Sequence, residues 1–395
     1  MIRGGTVLTP TETIEGGVLI VENGKIAAVG ANAEVPAEAE VIDATGQVVM
    51  PGMIDAHCHT GVFADGVGWI HSDGNEMTDP IMPHLRAIDA IHPEDMAFRD
   101  LREAGVTTIN TGPGSGNLIG GQTAAIKTVG RTIEDMVVSF PVGMKMALGE
   151  NPKRVYGEQK KTPSTRMGNA GTLRMWLTKA QGYIEKGARH AAKLADFQAG
   201  VEGATEQEPF EVDLKLDALA RVLRREIPAH IHAHRADDIM TAVRIAEEYD
   251  LDLVLIHATE GYKIADILAE KMIPCVPGPI LFSRPKVELR DMTPRNAGAL
   301  ANAGVKVAIQ TDQMSAVRYL RLDAAIAVNE GMSDDDALRA ITLTPAEILG
   351  IDDRVGSLEV GKDADIVILS AHPLDIAHGR IHQVLIDGET VFVRS

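Results

Sequence analysis

The sequence predicts an α/β fold: a (β/α)8 barrel of the TIM type, flanked by β-structure from both ends of the chain. Two observations carry this prediction. Short apolar runs alternate with helical segments through the middle of the chain, whereas both ends show alternation of apolar and polar side chains. Strands that alternate with helices favour parallel β/α units, and a stretch of about 300 residues suits a barrel of eight such units.

The ends of the chain carry hairpin signals. "VLIVENGKIAAVG" places Asn23-Gly24 between two strand-like runs, and "VLIDGETVFV" places Asp387-Gly388 in the same way. Asn-Gly and Asp-Gly pairs readily adopt the left-handed backbone of a two-residue hairpin turn. We therefore expect a hairpin at each end of the chain.

The middle of the chain supplies the strands and helices of the barrel. The strand candidates are "MIDAHCH", "GVTTINTG", "VVSFPVGMKMALG", "IPAHIHAH", "LDLVLIHA", "MIPCVPG" and "VKVAIQTD". Helical periodicity is seen in "DDIMTAVRIAEEYD" and "PRNAGALANAG". The alternation is interrupted near residues 150–225, where a long helix is predicted; this insertion is interpreted as a solvated face, with a lid or a subunit contact as the alternative.

Composition narrows the class of partner. The 38 basic and 56 acidic residues give a formal charge of −18, which argues against nucleic acid or an anionic membrane as a partner. The two cysteines and the absence of an apolar leading segment favour a reducing cytoplasm. We expect a small-molecule substrate, and the sequence leaves open whether copies of the chain form a homo-oligomer.

The segment "PGMIDAHCHTG" places two histidines at the end of a buried strand. Successive side chains of a strand point to opposite faces, so His57 and His59 share one face while Cys58 takes the other. Two imidazoles on one face are half of a metal site, although a lone pair of histidines is also compatible with a purely structural role. Cys58 is interpreted as a small core residue.

Other strand ends supply further candidate ligands. They are His230, His232 and His234 in "IPAHIHAH", His257 in "LDLVLIHA" and Asp312 in "VKVAIQTD". Taken singly, His257 is also compatible with a core histidine and Asp312 with a helix cap. In a parallel barrel the carboxyl ends of the strands meet at one face, where the chemistry occurs. Nitrogen and carboxylate ligands gathered there suit zinc in a hydrolytic site.

These motifs resemble the metal-dependent amidohydrolase superfamily, and within it the imidazolonepropionase-related group. "VVMPGMIDAHCHTG" is similar to the family's first-strand motif, and "GSLEVGKDADIVIL" to the segment where its barrel ends. The resemblance covers essentially the whole chain. It implies a β-sandwich domain built from residues 1–50 and 355–395, beside a metal-binding barrel of residues 51–354 with the insertion near 150–225.

The resemblance also implies a ligand set for one or two divalent metals, zinc above all. The implied ligands are His57, His59, His257, Asp312 and a fifth-strand histidine, which is His232 or His234. His232 is preferred because the family's ligand lies at the strand end. Lys145 in "VGMKMALGE" stands where many members carry a lysine that takes up carbon dioxide and bridges two metals. The alternative is a lysine that binds a substrate carboxylate or pairs with a structural acid.

The function implied is the hydrolysis of a C–N bond in an amide, lactam or dipeptide-like substrate by metal-activated water. Asp312 would carry the proton, and His230 or His234 would face the substrate and stabilise the oxyanion. The family's deaminases and imidazolonepropionases resemble one another in a glutamate three residues after the fifth-strand histidine. Here Arg235 follows His232 in this way and Asp237 follows His234, so a general acid/base of that kind is missing or changed. A heterocycle deaminase and a non-catalytic binding or assembly protein remain the alternatives.

Overall fold

The computed structural model describes residues 1–31, 33, 39–66 and 68–394. Residues 32, 34–38 and 395 belong to the predicted terminal β segments and residue 67 to the predicted barrel, and they lie outside the described residues. Within the described ranges, no helix combines the length and the apolar character needed to cross a membrane.

The described residues form fifteen strands and eleven α-helices. The strands are β1 (Ile2–Leu8), β2 (Thr13–Glu22), β3 (Lys25–Gly30), β4 (Ile42–Asp43), β5 (Val48–Pro51), β6 (Met53–Cys58), β7 (Val106–Thr111), β8 (Ile119–Lys127), β9 (Val137–Ala147), β10 (Ala229–Ala233), β11 (Leu253–His257), β12 (Cys275–Pro277), β13 (Ile366–Leu369), β14 (Ile381–Ile386) and β15 (Glu389–Val393). The helices are α1 (Met96–Glu103), α2 (Ile133–Met136), α3 (Glu150–Glu158), α4 (Arg166–Gln198), α5 (Leu214–Leu223), α6 (Ala236–Tyr249), α7 (Ala265–Glu270), α8 (Asn296–Asn302), α9 (Leu320–Asn329), α10 (Asp334–Arg339) and α11 (Leu343–Leu349).

Strands from both ends of the chain build one sheet, in the order β15-β14-β13-β5-β1-β2-β3, with β4 paired to β1. The two predicted hairpins are confirmed. Asn23 and Gly24 join β2 to β3 with φ of 51° and 77°, and Asp387 and Gly388 join β14 to β15 with φ of 49° and 78°. Positive φ at both central residues matches the turn type that the right-handed twist of the strands favours.

The second sheet forms the barrel and runs in the order β12-β11-β10-β9-β8-β7-β6. The pairs β6–β7, β9–β10, β10–β11 and β11–β12 are parallel. The predicted α/β class is therefore confirmed, with a barrel rich in parallel strands beside a sheet made from the termini. The proposed domain boundaries at residues 50 and 355 stay a prediction.

One strand departs from the predicted parallel alternation, because β8 is antiparallel to both β7 and β9. Only residues 112–118 separate β7 from β8. A crossover between parallel strands needs about a dozen residues or more. Because this connection is shorter, the chain returns in the opposite direction. This loop of residues 112–118, which contains three glycines, consequently lies at the end of the barrel where the parallel strands finish.

Residues 305–313 nearly close the barrel between its first and last strands. On one side the amides of Ala308 and Gln310 donate to the carbonyls of Cys275 and Pro277, at 3.1 and 3.2 Å. On the other side the Asp312 amide donates to the His57 carbonyl at 3.2 Å. The segment thus takes the place of an eighth strand and carries Asp312 to the same end of the barrel as His57.

The chain passes from the terminal sheet into the barrel at Gly52. A Cβ atom added there would lie 2.0 Å from the Thr107 hydroxyl oxygen, so no side chain fits without a shift of β7. The Thr107 side chain packs directly against the Gly52 backbone at the start of β6, the strand that carries His57 near its other end.

A buried cluster of charges joins the opposite end of the barrel to the terminal sheet. Lys127, the last residue of β8, places its Nζ atom 2.6 Å from Asp365, 3.0 Å from Asp363 and 3.2 Å from Asp387. Its side chain is only 3% exposed. The antiparallel direction of β8 is what carries this lysine to the end of the barrel that faces the terminal strands.

The predicted insertion is helical. It contains α3, α4 and α5, and α4 runs for 33 residues from its cap at Thr165, whose hydroxyl accepts the Gly168 amide. The first half of α4 buries Leu173 and Leu177, and most of the second half is exposed. The insertion therefore extends from the barrel as an arm of helices.

Candidate metal centre

The site is built from side chains at the carboxyl ends of the barrel strands. His57 and His59 follow from β6, Lys145 from β9, His232 and His234 from β10, His257 from β11, and Asp312 from the closing segment. Strand geometry explains the convergence, because side chains two residues apart share a face and the parallel strands end at one rim.

Asp312 lies among three of the histidines. Its Oδ1 atom is 3.2 Å from His59 Nε2, 3.5 Å from His57 Nε2 and 3.8 Å from His257 Nε2. The carboxylate is 29% exposed, so it faces the open end of the barrel. Burial raises the pKa of Asp312, but the neighbouring imidazoles outweigh it and hold that pKa well below its usual range. The carboxylate is ionised at neutral pH.

A second group of imidazoles lies beside the first. Among the described residues, possible ligand atoms of His232, His234 and His257 lie within 4.8 Å of one another, as do those of His57, His257 and Asp312. The rings of His232 and His257 are 4.4 Å apart, centre to centre. His257 belongs to both groups, so the two sets of candidate ligands are contiguous.

The backbone orients two of the imidazoles. His59 Nδ1 lies 2.8 Å from the Gly112 carbonyl, and His257 Nδ1 lies 2.8 Å from the Gly278 carbonyl. A carbonyl accepts only, so each ring carries a proton on Nδ1. His257 thereby presents its Nε2 lone pair to the cluster, whereas His59 Nε2 lies at hydrogen-bond distance from the Asp312 carboxylate. This arrangement is typical of histidines that bind metals.

Burial keeps four of the imidazoles neutral. It lowers the pKa of His257 to about 4 and the pKa of His57, His232 and His234 well below their usual range. Several ring nitrogens are buried without a hydrogen-bond partner in the described residues: His57 Nδ1, both nitrogens of His232, His234 Nε2 and His257 Nε2. Neutral imidazoles, unpaired lone pairs and an ionised carboxylate are the donor set that a divalent cation such as Zn²⁺ requires, so these residues fit a metal.

Lys145 is buried beside the first-strand histidines. Its Nζ atom lies 2.6 Å from His57 Nε2, its side chain is among the largest fully buried ones, and no carboxylate of the described residues lies within 4.0 Å of it. Burial lowers the pKa of Lys145 to about 8. The predicted alternative, a lysine paired with an acid of the protein, is therefore not what the structure has.

Backbone strain occurs at two of these positions. His257 has a φ of 70° and Asp312 a φ of 54°, which is the left-handed region that side chains other than glycine seldom adopt. Each such residue costs about 1 kcal/mol or more and is held by its surroundings, and such residues cluster at functional sites. The alternative of a helix cap at Asp312 is not supported, since no backbone amide of the described residues donates to its carboxylate.

The structure does not bring His230 into the cluster. His230 pairs in register with Lys145, one layer below His232, and is 1% exposed. Its ring lies over Gly143, where an added Cβ atom would come within 2.3 Å of it. His230 therefore faces the barrel interior beneath the site, and of the two histidines predicted to face the substrate only His234 lies at the rim.

Two amides of the loop of residues 112–118 are paired within the protein. The Gly114 amide donates to the Gly74 carbonyl at 2.8 Å, and the Gly116 amide donates to Asn75 Oδ1 at 2.8 Å. These groups hold the loop against the segment that follows β6.

Two charged residues at the rim have no distinctive sequence signal. Glu288 and Lys286 lie on the loop after β12, and Glu288 Oε1 lies 3.8 Å from His234 Nε2. The Glu288 side chain is 1% exposed, and burial raises its pKa. Only folding brings this loop to the site, about 50 residues along the chain from His234.

Comparison with known proteins identifies amidohydrolases as relatives of this chain. A model of the amidohydrolase family matches residues 48–391. The amidohydrolase tasK of Hapsidospora irregularis is 30% identical over 396 residues, covering 95% of this chain, and this chain spans 40% of that relative's length. The imidazolonepropionase of Mesorhizobium japonicum is 24% identical over 383 residues, covering 90% of this chain and 86% of that protein.

A solved structure shares the fold over the full length. The crystal structure of an amidohydrolase from Thermotoga maritima matches with a TM-score of 0.91 and 45% sequence identity, covering 100% of this chain and 99% of that one.

Proposed function

This chain belongs to the amidohydrolase family, and from that premise we propose that it is a metal-dependent hydrolase of C–N bonds in amide, lactam or dipeptide-like substrates. The observation that carries the proposal is the convergence of buried, neutral imidazoles and one ionised carboxylate at the open end of the barrel. One or two divalent cations, zinc above all, would be held by His57, His59, Lys145, His232, His257 and Asp312. A bound cation would supply Lewis acidity and lower the pKa of a water molecule.

The protein's own residues divide the remaining work. Asp312 is ionised and partly exposed, so it can accept a proton from the attacking water and return it to the leaving nitrogen. His234 Nδ1 lies 2.7 Å from the Thr259 hydroxyl, which can donate or accept. When Thr259 donates, His234 carries its proton on Nε2 and can stabilise the oxyanion. We therefore assign His232 as the fifth-strand ligand and His234 as the substrate-facing histidine.

The deaminase alternative is less well supported. Arg235, the residue three positions after His232, is exposed and pairs with Asp237 at 2.8 Å. It offers no carboxylate to the site, so a glutamate acid/base of the deaminase kind is missing from that position. The non-catalytic alternative is disfavoured because every ligand position that the family motif implies is filled.

A metal assay combined with a substrate screen tests the proposal. We expect the purified protein to hold at least one tightly bound divalent metal, and the metal-loaded protein to hydrolyse members of a panel of N-acyl amino acids, dipeptides, lactams and cyclic ureas. Chelation should abolish activity, and Zn²⁺, Mn²⁺ or Co²⁺ should restore it. His57→Ala should lose metal by elemental analysis, while His378→Ala should not, because His378 is 78% exposed and lies on the loop between β13 and β14 of the terminal sheet.

Two outcomes would count against the proposal. A metal content near zero after growth in metal-replete medium, with no recovery of hydrolysis on metal addition, would contradict metal dependence. Ammonia release from heterocyclic bases, without hydrolysis of amides, would favour the deaminase instead.

We further propose that Lys145 is carboxylated, its amine adding to carbon dioxide with loss of a proton to give a carbamate that supports a second metal. The support is its burial beside His57 without an acidic partner. Wild-type protein should contain two metals per chain, and Lys145→Ala should contain one at most. A ¹³C carbamate signal after growth with labelled bicarbonate should be present only in the wild type.

Two metals retained by Lys145→Ala would refute the carbamate. One metal in the wild type, with no carbamate signal, would place the protein among single-metal members and leave the hydrolytic proposal standing.

A further inference from the structure

Lys286 is a cation at the rim of the barrel that has no role in the proposed hydrolytic mechanism. It lies on the loop after β12, which the Asp323 carboxylate anchors by accepting the amides of Ile280 and Leu281. Its Nζ atom is 3.4 Å from Glu288 Oε1 and 3.3 Å from Asn151 Oδ1. These contacts fix the ammonium at the rim of the barrel.

The charge of Lys286 reaches the candidate ligands. After the effect of burial, its positive charge is among the causes that lower the pKa of His232, His234 and Lys145. The Lys286 side chain is 21% exposed, whereas that of His234 is 4% exposed. A molecule that enters the site from solvent therefore meets this ammonium group beside the imidazoles.

Lys286 retains the capacity to bind another group. An ammonium has three N–H donors, and Glu288 and Asn151 account for two of them among the described residues.

Glu288 does not depend on Lys286 alone. Its Oε2 atom accepts the Glu150 amide at 3.0 Å and lies 3.8 Å from Arg166. Glu288 and Asn151 can therefore hold the Lys286 ammonium in place while its remaining donor meets a ligand. A fixed cation whose third donor is free suits an anion of the substrate better than a neutral group.

We propose that Lys286 binds a carboxylate of the substrate, so that the preferred substrates are amides bearing a carboxylate, such as N-acyl amino acids and dipeptides. The inference rests on the hydrolytic function proposed above and names its substrate class. Lys286 acts on specificity and takes no part in proton transfer. An interaction kept in both the bound substrate and the transition state changes KM more than kcat.

The test compares matched substrates. Each N-acyl amino acid and dipeptide of the panel is paired with its carboxamide, and kcat and KM are measured for metal-loaded wild type, Lys286→Met and Lys286→Arg. Hydrogen bonds to charged groups suggest a loss of about 10- to 100-fold in kcat/KM for the acids with Lys286→Met, mostly in KM. Wild type and Lys286→Met should hydrolyse the carboxamides nearly alike. Lys286→Arg should recover much of the activity that Lys286→Met loses on the acids.

Two controls separate specificity from structure. Lys271→Met also removes a lysine from a Lys–Glu pair and should leave the kinetics unchanged. Lys271 lines a cleft of about 730 Å³ whose wall includes Arg225 and Pro228, the residues that precede β10. Melting temperatures report any loss of folding in Lys286→Met. If this lysine were only structural, acids and carboxamides would lose activity together.

Equal hydrolysis of acids and carboxamides by the wild type, or equal loss of both in Lys286→Met, would overturn the anchor while the proposed function stands. No turnover of either set would overturn the proposed function. Calorimetric binding of the panel acids would then decide the anchor: weaker binding to Lys286→Met supports it, and equal binding, including none to either protein, overturns it.

Discussion

Asp312→Asn is expected to lower kcat by about 10²- to 10⁴-fold, the usual contribution of a positioned acid–base group, while the fold is retained. Asparagine keeps the shape of the side chain and one oxygen that can bind a metal, but it cannot accept a proton. It also tolerates the left-handed backbone at this position, where φ is 54°, better than most residues do.

Three measurements on this one variant separate the possibilities: kcat, metal content and melting temperature. We expect the first to fall and the other two to stay near the wild-type values. Loss of metal together with activity would make Asp312 mainly a ligand. Full activity would remove Asp312 from the mechanism.

Lys127→Met is expected to destabilise the protein by about 3–5 kcal/mol, the cost of breaking a buried ion pair by removing one partner. Among the described residues, the Asp365 carboxylate is bonded to one side-chain cation, the Lys127 ammonium, and to one other donor, the Asp387 amide at 3.0 Å. Without the lysine, a buried carboxylate is left with one neutral donor. The contact between β8 and the terminal sheet also loses the ammonium that pairs with its three aspartates.

Lys25→Met is the matched control for this prediction. Lys25 also pairs with Asp363, but its side chain is 48% exposed, and exposed pairs contribute about 0–1 kcal/mol. The free energy of unfolding from reversible urea denaturation compares the two variants. The double variant Lys127→Met/Asp365→Asn should recover part of the loss, because it removes the unpaired charge.

A loss for Lys127→Met no greater than for Lys25→Met would show that the buried cluster contributes little. No recovery in the double variant would assign the loss to packing of the lysine stem rather than to charge.

Much of the candidate site follows from local sequence patterns. The alternation of side chains along a strand places His57 with His59, and the ends of two apolar runs mark where His257 and Asp312 leave the sheet. Each of these signals spans a few residues, so it can be recognised in the sequence without knowledge of the fold. The same pattern also selected His230, since period two cannot tell which layer of a barrel interior a residue occupies. Lys145, in contrast, was identified only through the family resemblance.

β8 was not among the predicted strands, and its direction could not be predicted in this way. β8 is buried on both faces, as the parallel strands are, and its apolar pattern carries no mark of its orientation. The shortness of the loop before it decides the direction. That direction in turn carries Lys127 to Asp365, 238 residues further along the chain.

The sequence by itself determined the fold class, the two terminal hairpins and the chemical type of the site, because each depends on short-range periodicity or on turn residues. Only the tertiary structure decided the direction of β8, the place of His230 beneath the site, and the arrival of Lys286 and Glu288 at its rim. These features depend on contacts between distant segments. Such contacts form when the barrel closes, and no local pattern of side chains records them.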